Sequence, residues 1–269
     1  PTTSRAMSSF PFDAMAAGYD AAFTDTPIGR HLRELVWERL DTLYAPGQHV
    51  LEIGCGTGED AARLAVRGVH VTATDASPRM IEVARAKLAR AGAADRVALR
   101  VLRMEELAPA LRGQLFDGVL SNFGAVNCAD DVGRTIEEAA TLVRPGGTLV
   151  WVPMGRHVPW EWAWYLARGD WRRARRRHAS DGARWRGLRI RYPTPREFAS
   201  LLDHRFEVRA IRPLGAVLPP SYAAGWTPRY PRTFAALARA ETAAFRSRRF
   251  GRLLAALSDH YLVEAVRRP

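Results

Sequence analysis

Between His49 and Met154 short apolar runs alternate with amphipathic stretches, and that alternation limits the fold more than any other feature. HVLEI (49–53), VHVTATD (69–75), VALRVL (97–102), FDGVLSN (116–122) and TLVWVPM (148–154) read as strands. The stretches between them read as helices: EDAARLAVRG, then SPRMIEVARAKLARAG with Ser77 as N-cap and Pro78 at its first position, then one near 130–143 that ends at RPGG. Strand–helix alternation of this length implies right-handed βαβ units, a parallel sheet and helices on both faces. A helix over 29–44, stopped by Pro46 and Gly47, precedes the first strand. After the alternating part come a helix in TPREFASLLDH, a strand over 206–215, a long helix over 233–258 and a terminal strand in HYLVEAVRR. The expected class is α/β, a doubly wound and mostly parallel seven-stranded sheet.

The rhythm breaks after Met154. Residues 155–192 carry Trp160, Trp162, Trp164, Trp171 and Trp185 with at least one amphipathic helix, and read as a helical lid inserted between sheet elements. This divides the chain into an N-terminal helical segment (1–45), a core (46–154 and 193–269) and the lid. The formal charge of +12 is concentrated in the lid, where residues 151–191 hold eleven arginines against Glu161, Asp170 and Asp181. Lys87 is the only lysine, so the excess reads as a compositional skew toward arginine before it reads as a nucleic-acid footprint. Two cysteines, Cys55 and Cys128, supply neither a disulfide framework nor a four-ligand zinc site, and no metal is expected. PTTSRAMSSF lacks the pattern of a signal peptide and no apolar run is long enough to span a bilayer, so a cytoplasmic location is expected.

Val50 to Asp60, VLEIGCGTGED, places Gly54, Gly56 and Gly58 directly after the first strand. In an open parallel sheet ligands bind beyond the carboxyl ends of the strands where the topology reverses. Glycines there permit positive φ and close approach, and the amides of the next helix face the ligand. Asp75 ends the second strand, where a carboxylate can accept both hydroxyls of a ribose. Turn and acid together indicate a nucleoside cofactor. The spacing G-C-G-T-G is shorter than the G-x-G-x-x-G of dinucleotide binders.

VLEIGCGTGED, TDASPRMIEVAR, FDGVLSNFGAVN and LVRPGGTLVWV, in this order, resemble the class I S-adenosylmethionine-dependent methyltransferases, whose fold is a Rossmann-like αβα sandwich. The resemblance covers roughly residues 10 to 155. It implies that the Gly54–Gly58 turn wraps the methionine part of S-adenosylmethionine, that Asp75 holds the ribose and that Met80 presses on the adenine. Glu105, or the backbone near Met104, would meet the adenine edge, because Arg103 stands where many relatives have an aspartate. Asn122 and Phe123 would sit beside the sulfonium. Tyr19 and Phe23 would close over the cofactor and Arg30 would pair with its carboxylate. Glu52, Cys55 and Ala76, which flank these positions, complete the expected cofactor set.

Methyl transfer from a sulfonium is a direct displacement that needs alignment and exclusion of water, with a base only where the acceptor must lose a proton. His157, after the fifth strand, is the candidate base. Strand four ends Ser121-Asn122-Phe123-Gly124, without the Asn/Asp-Pro-Pro-aromatic signature of base and amide methyltransferases. The expected reaction is methylation of a small acidic or aromatic molecule on oxygen, nitrogen or carbon. The alternatives are an RNA methyltransferase using the basic lid, and a non-catalytic protein that binds the cofactor.

Overall fold

A computed structural model of the chain describes residues 10–179, 181–247 and 249–269. Most of the PTTSRAMSSF stretch, and with it residues 1–9 of the N-terminal segment, lies outside the described residues.

In chain order the elements are α1 (Pro27–Leu43), β1 (His49–Ile53), α2 (Glu59–Val66), β2 (His70–Asp75), α3 (Pro78–Arg90), β3 (Val97–Val101), α4 (Leu107–Ala110), β4 (Phe116–Ser121) and α5 (Val132–Leu142). They continue as β5 (Val143–Trp151), α6 (Pro159–Leu166), α7 (Trp171–Ala174), β6 (Ala183–Trp185), β7 (Leu188–Ile190) and α8 (Pro195–Leu202). The chain closes with β8 (Phe206–Leu214), α9 (Pro231–Arg246), α10 (Gly251–Ala255) and β9 (His260–Arg267). Seven strands form one sheet in the order β3-β2-β1-β4-β5-β9-β8. β9 runs antiparallel between β5 and β8, and the other pairs are parallel. The order reverses between β1 and β4, so the crevice for a ligand opens at the carboxyl ends of these two strands.

Several helices start at a side-chain cap. Thr26 accepts from the Gly29 amide ahead of α1, Ser77 from the Met80 amide ahead of α3, and Asp131 from the Arg134 amide ahead of α5. Thr194 and Glu197 form a reciprocal capping box on α8. Leu32, Val36 and Leu40 of α1 are buried against one face of the sheet, while Ile136 and Ala139 of α5 and Phe198 of α8 cover the other. β1, buried at Val50 through Ile53, lies between these two layers.

Three expectations need correcting. β5 begins at Val143 and not at 148, because Phe116 pairs with Val143 before the turn bulges and pairing resumes at Gly118 with Thr148. The single helix expected over 233–258 is two, since Ser247 is extended (ψ 119°) and α10 turns back to pack on β8. Residues 155–192 contain, besides α6 and α7, the antiparallel hairpin β6–β7, with Trp185 opposite Leu188. Its turn puts Arg186 (φ 46°) and Gly187 (φ 87°) in the left-handed region, as a two-residue hairpin requires. An Arg-Gly pair is a weak turn signal because arginine seldom adopts that conformation.

Candidate active site

A cavity of about 380 Å³ opens at the switch between β1 and β4. Its floor is made by Gly54 and Gly56 after β1, Asp75 at the end of β2 and Ala76 beyond it, Met80 of α3, Met104 after β3, and Asn122 through Ala125 after β4. Gly56 has φ 53°, and a Cβ built there would meet nothing within 4 Å, so the turn is open toward the cavity. Gly58 has a different reason to be glycine: with φ 76° it caps α2, and a Cβ would sit 2.8 Å from the Ala84 Cβ of α3. It is a packing glycine that lets α2 and α3 approach.

One carboxylate oxygen of Asp75 accepts from the Gly56 amide (2.9 Å) and the other from the Ser77 amide (2.8 Å). Each oxygen keeps a lone pair for the cavity. Burial pushes the carboxyl up to about 6, against the lowering effect of those two amides, and Asp13 pushes it further up. Asp13 is close because its carboxylate accepts from Ser77 Oγ at 2.6 Å.

Behind the turn lies a buried charged layer. Asp60 of α2 accepts from Arg33 (2.6 Å), Trp37 Nε1 (2.7 Å) and Asn122 Nδ2 (2.9 Å). Burial opposes the Arg33 charge, but Asp60 outweighs it and the guanidinium is held firmly protonated. Arg33 also lies over the Phe123 ring, 4.7 Å from its centroid. Arg33 Nε and Glu52 Oε2 are buried with no hydrogen-bond partner among the described residues. Burial, then the neighbouring Asp60, drives the Glu52 carboxyl well above its ordinary range. Buried polar atoms are rarely left unpaired, so these two mark a place where a polar ligand or water belongs.

The roof comes from two segments far apart in the chain. Phe10, Phe12 and Tyr19 cover the cavity from the N-terminal side, and Ala183 through Trp185, Ile190 and Tyr192 from the hairpin side. The two halves meet where the Phe12 and Trp185 ring centroids stand 4.9 Å apart. The hairpin segment is fixed to the core by Arg177, which is 5% exposed. Arg177 donates to Glu161 (2.7 Å), to Asp259 (2.6 Å) and to the Gly155 carbonyl (2.9 Å). Glu161 takes a second, bidentate arginine, Arg176, at 3.0 Å on each oxygen.

Of the residues singled out from sequence, Tyr19, Gly54, Gly56, Asp75, Ala76, Met80, Met104, Asn122 and Phe123 line the cavity. Glu52 and Cys55 lie buried beneath it, Cys55 with its thiol raised well above the usual range by burial and by Glu52. Phe23 packs edge-on against Phe123 at 4.8 Å instead of facing the cavity directly. Three are not brought to it. Arg30 is exposed, with Asp25 3.9 Å away, and Arg33, one turn further along α1, occupies the buried position instead. Glu105 is turned away, accepting from the Asp130 amide (3.0 Å) and facing Arg103 (3.4 Å). His157 lies outside because Met154, just beyond β5, makes this segment's last contact with the cavity, after which the chain turns at the buried Gly155. The His157 ring instead meets His178, nitrogen to nitrogen, at 3.1 Å.

Residues missed in the sequence include Arg33, Phe10, Phe12, Cys128, Met154, Ile190 and Tyr192. Arg33 gave little signal, since helical spacing sets it at the edge of the face of α1 that carries Ile28, Leu32, Leu35 and Val36, a face that also holds Arg39. Cys128 has its thiol pushed up to about 12 by burial and by Asp75 and Glu105, so it is a neutral wall and not a nucleophile. No group of three or more metal-ligating side chains occurs among the described residues.

The family model described as "Methyltransferase domain" matches residues 50–147. A demethylmenaquinone methyltransferase of Symbiobacterium thermophilum is 30% identical over 175 residues, which are 60% of this chain and 67% of that protein. An uncharacterized methyltransferase of Mycobacterium tuberculosis is 32% identical over 180 residues, 65% of this chain and 83% of that one. The solved structure of the CcbJ methyltransferase from Streptomyces caelestis superposes with a TM-score of 0.62 at 19% identity, covering 97% and 99% of the two chains; at that identity it speaks for the fold. The chain belongs to the class I S-adenosylmethionine-dependent methyltransferases. It is a Rossmann-like transferase whose cofactor is S-adenosylmethionine.

Proposed function

We propose that this enzyme methylates a small, largely apolar aromatic acceptor held between the cofactor and the β6–β7 hairpin. The observation that carries the reading is the two-part cavity: a polar glycine-and-acid floor beneath a roof of Phe10, Phe12, Met154, Trp185, Ile190 and Tyr192. The floor fits the cofactor. Asp75 has two lone pairs for ribose hydroxyls, Met80 and Met104 offer an apolar slot for adenine, and the turn at Gly56 is open where the methionine part would lie. Arg33, whose Nε has no partner among the described residues, suits the cofactor's carboxylate. Residues 155–192 serve as the lid, with the hairpin as its substrate-facing part.

Bound, the cofactor supplies an electrophilic methyl on a sulfonium. The chain's own contribution is placement. Asn122 is held by its amide on Asp60, and its Oδ1 accepts from the Phe123 amide at 2.9 Å, which presents the Phe123 ring to the cavity. The aromatic roof excludes water, so the displacement occurs in a low-dielectric space. With Asp75 taken by the ribose and the Cys128 thiol held neutral, the groups left among the described lining residues to exchange a proton with an acceptor are the hydroxyls of Tyr19 and Tyr192, both raised above the usual range by burial. Neither is a strong base, so the favoured acceptors are amines, thiols or acidic hydroxyls that reach the site already nucleophilic.

Of the arginines in 155–192, Arg176 and Arg184 line the cavity. Arg176 is committed to Glu161, which leaves Arg184 to meet an acidic substituent. The relative named for a demethylmenaquinone acceptor supports an aromatic substrate. A screen of phenolic, quinol and amine acceptors with isotopically labelled S-adenosylmethionine tests the reading. Transfer to an aromatic acceptor that is lost in Trp185→Ala is expected; transfer confined to RNA or protein would refute it.

A further inference from the structure

The outer face of the 155–192 segment carries a second feature that methyl transfer does not use. Trp171 is 66% exposed, Tyr222 46%, Trp160 41% and Leu166 39%. Around them stand exposed arginines at 168, 172, 173 and 175, with others on the hairpin at 186 and 189. The one fully exposed acid of the segment is Asp181, while Glu161 is buried and Asp170 is paired with Arg173 at 3.4 Å. These groups form a patch. Arg168 lies 3.5 Å over the Trp164 ring, Trp164 and Tyr165 both pack against Tyr222, and Arg173 stands over Tyr165 at 5.9 Å. The patch adjoins the cavity mouth, because Arg176 both lines the cavity and stands over Tyr165 at 5.4 Å.

We propose that this patch docks the enzyme onto an anionic lipid surface. Exposed tryptophans and tyrosines interleaved with arginines suit the headgroup layer, where the rings enter the interface and the guanidiniums pair with lipid phosphates. Charge complementarity selects the partner, since a cluster of arginines with one exposed acid is repelled by a cationic surface and weakly held by a neutral one. The apolar side chains favour lipid over nucleic acid, as Leu166 offers no stacking face to a base. No described helix is long and apolar enough to cross a membrane, so the contact is peripheral. Docking this face would turn the cavity mouth toward the bilayer, where an apolar acceptor concentrates; that consequence rests on the proposed acceptor, whereas the docking itself does not.

The test is co-sedimentation of the full chain with sucrose-loaded vesicles, either pure phosphatidylcholine or equal parts phosphatidylcholine and phosphatidylglycerol, at 0.1 and 0.5 M NaCl. Expected is capture by the anionic vesicles at least roughly tenfold above the neutral ones and weakened at the higher salt, where the Debye length falls below about 5 Å. The double variant Arg172→Glu/Arg173→Glu and the single variant Trp171→Ala should each lose roughly tenfold in partitioning while S-adenosylmethionine affinity, measured by calorimetry, stays unchanged. Equal capture by both vesicle types, no capture, or capture indifferent to the variants would overturn the proposal. So would a single-stranded RNA 20-mer bound through the same arginines while vesicles are ignored. Failure here with a successful acceptor screen would leave the proposed reaction standing.

Discussion

The position of Asp75 makes cofactor binding dependent on pH in a calculable way. Its carboxyl, pushed up to about 6 mainly by burial, takes up a proton in the free enzyme as pH falls through that value. A carboxylate that accepts both ribose hydroxyls must be ionised, so binding selects the deprotonated form. The apparent dissociation constant should be flat above pH 7, double near pH 6 and be about tenfold weaker at pH 5. The nearby Cys128, pushed up to about 12, does not titrate in this window. For folding, the sign is opposite to that of an ion-paired acid. With the native value above the ordinary 3.8, the folded state holds more protons between 3.8 and about 6, so the free enzyme loses stability as pH rises through that window. Calorimetric titration with S-adenosylhomocysteine from pH 8 to 5 at fixed ionic strength is the assay. Asp75→Asn should weaken binding about 10- to 100-fold at pH 7.5, for two lost bonds to a charged acceptor, and should abolish the pH dependence. Asp13→Asn should move the midpoint down, since Asp13 raises it. A wild-type constant unchanged to pH 5, or a slope that persists in Asp75→Asn, refutes the ribose role.

Arg33→Met should destabilise the fold by about 3–5 kcal/mol in chemical denaturation, because it strands the buried Asp60, with the bonds from Trp37 and Asn122 holding the loss toward the lower figure. Arg30→Ala, at an exposed site, should leave both stability and cofactor affinity unchanged. Gly58→Ala should lower the melting temperature without changing the stoichiometry of cofactor binding, since the added Cβ collides with Ala84 and not with the cavity. Trp185→Ala should raise the acceptor KM about tenfold or more while leaving the cofactor Kd within about twofold, if the proposed acceptor lies beneath the hairpin that roofs the cavity.

The floor of the site was legible in the chain because it is local. Gly54 and Gly56 lie in the turn after β1, Asp75 ends β2 and Ser77 caps the next helix, so a few residues of sequence carry both the turn and the ligand-facing group. The alternation of strands and helices likewise pointed to a doubly wound, mostly parallel sheet of seven strands, whereas the order of those strands, with β9 antiparallel between β5 and β8, came from the structure. What only the tertiary structure decided are the contacts made across long separations. Phe12 meets Trp185 over the cavity, Arg177 ties residues 155–192 to Asp259, and Arg33 rather than Arg30 is the arginine turned inward. No local pattern encodes which of two arginines one turn apart is buried, or that His157 swings out toward His178. These outcomes follow from how the helices and the hairpin pack on the finished sheet, where close packing admits one arrangement and local sequence preference has no vote.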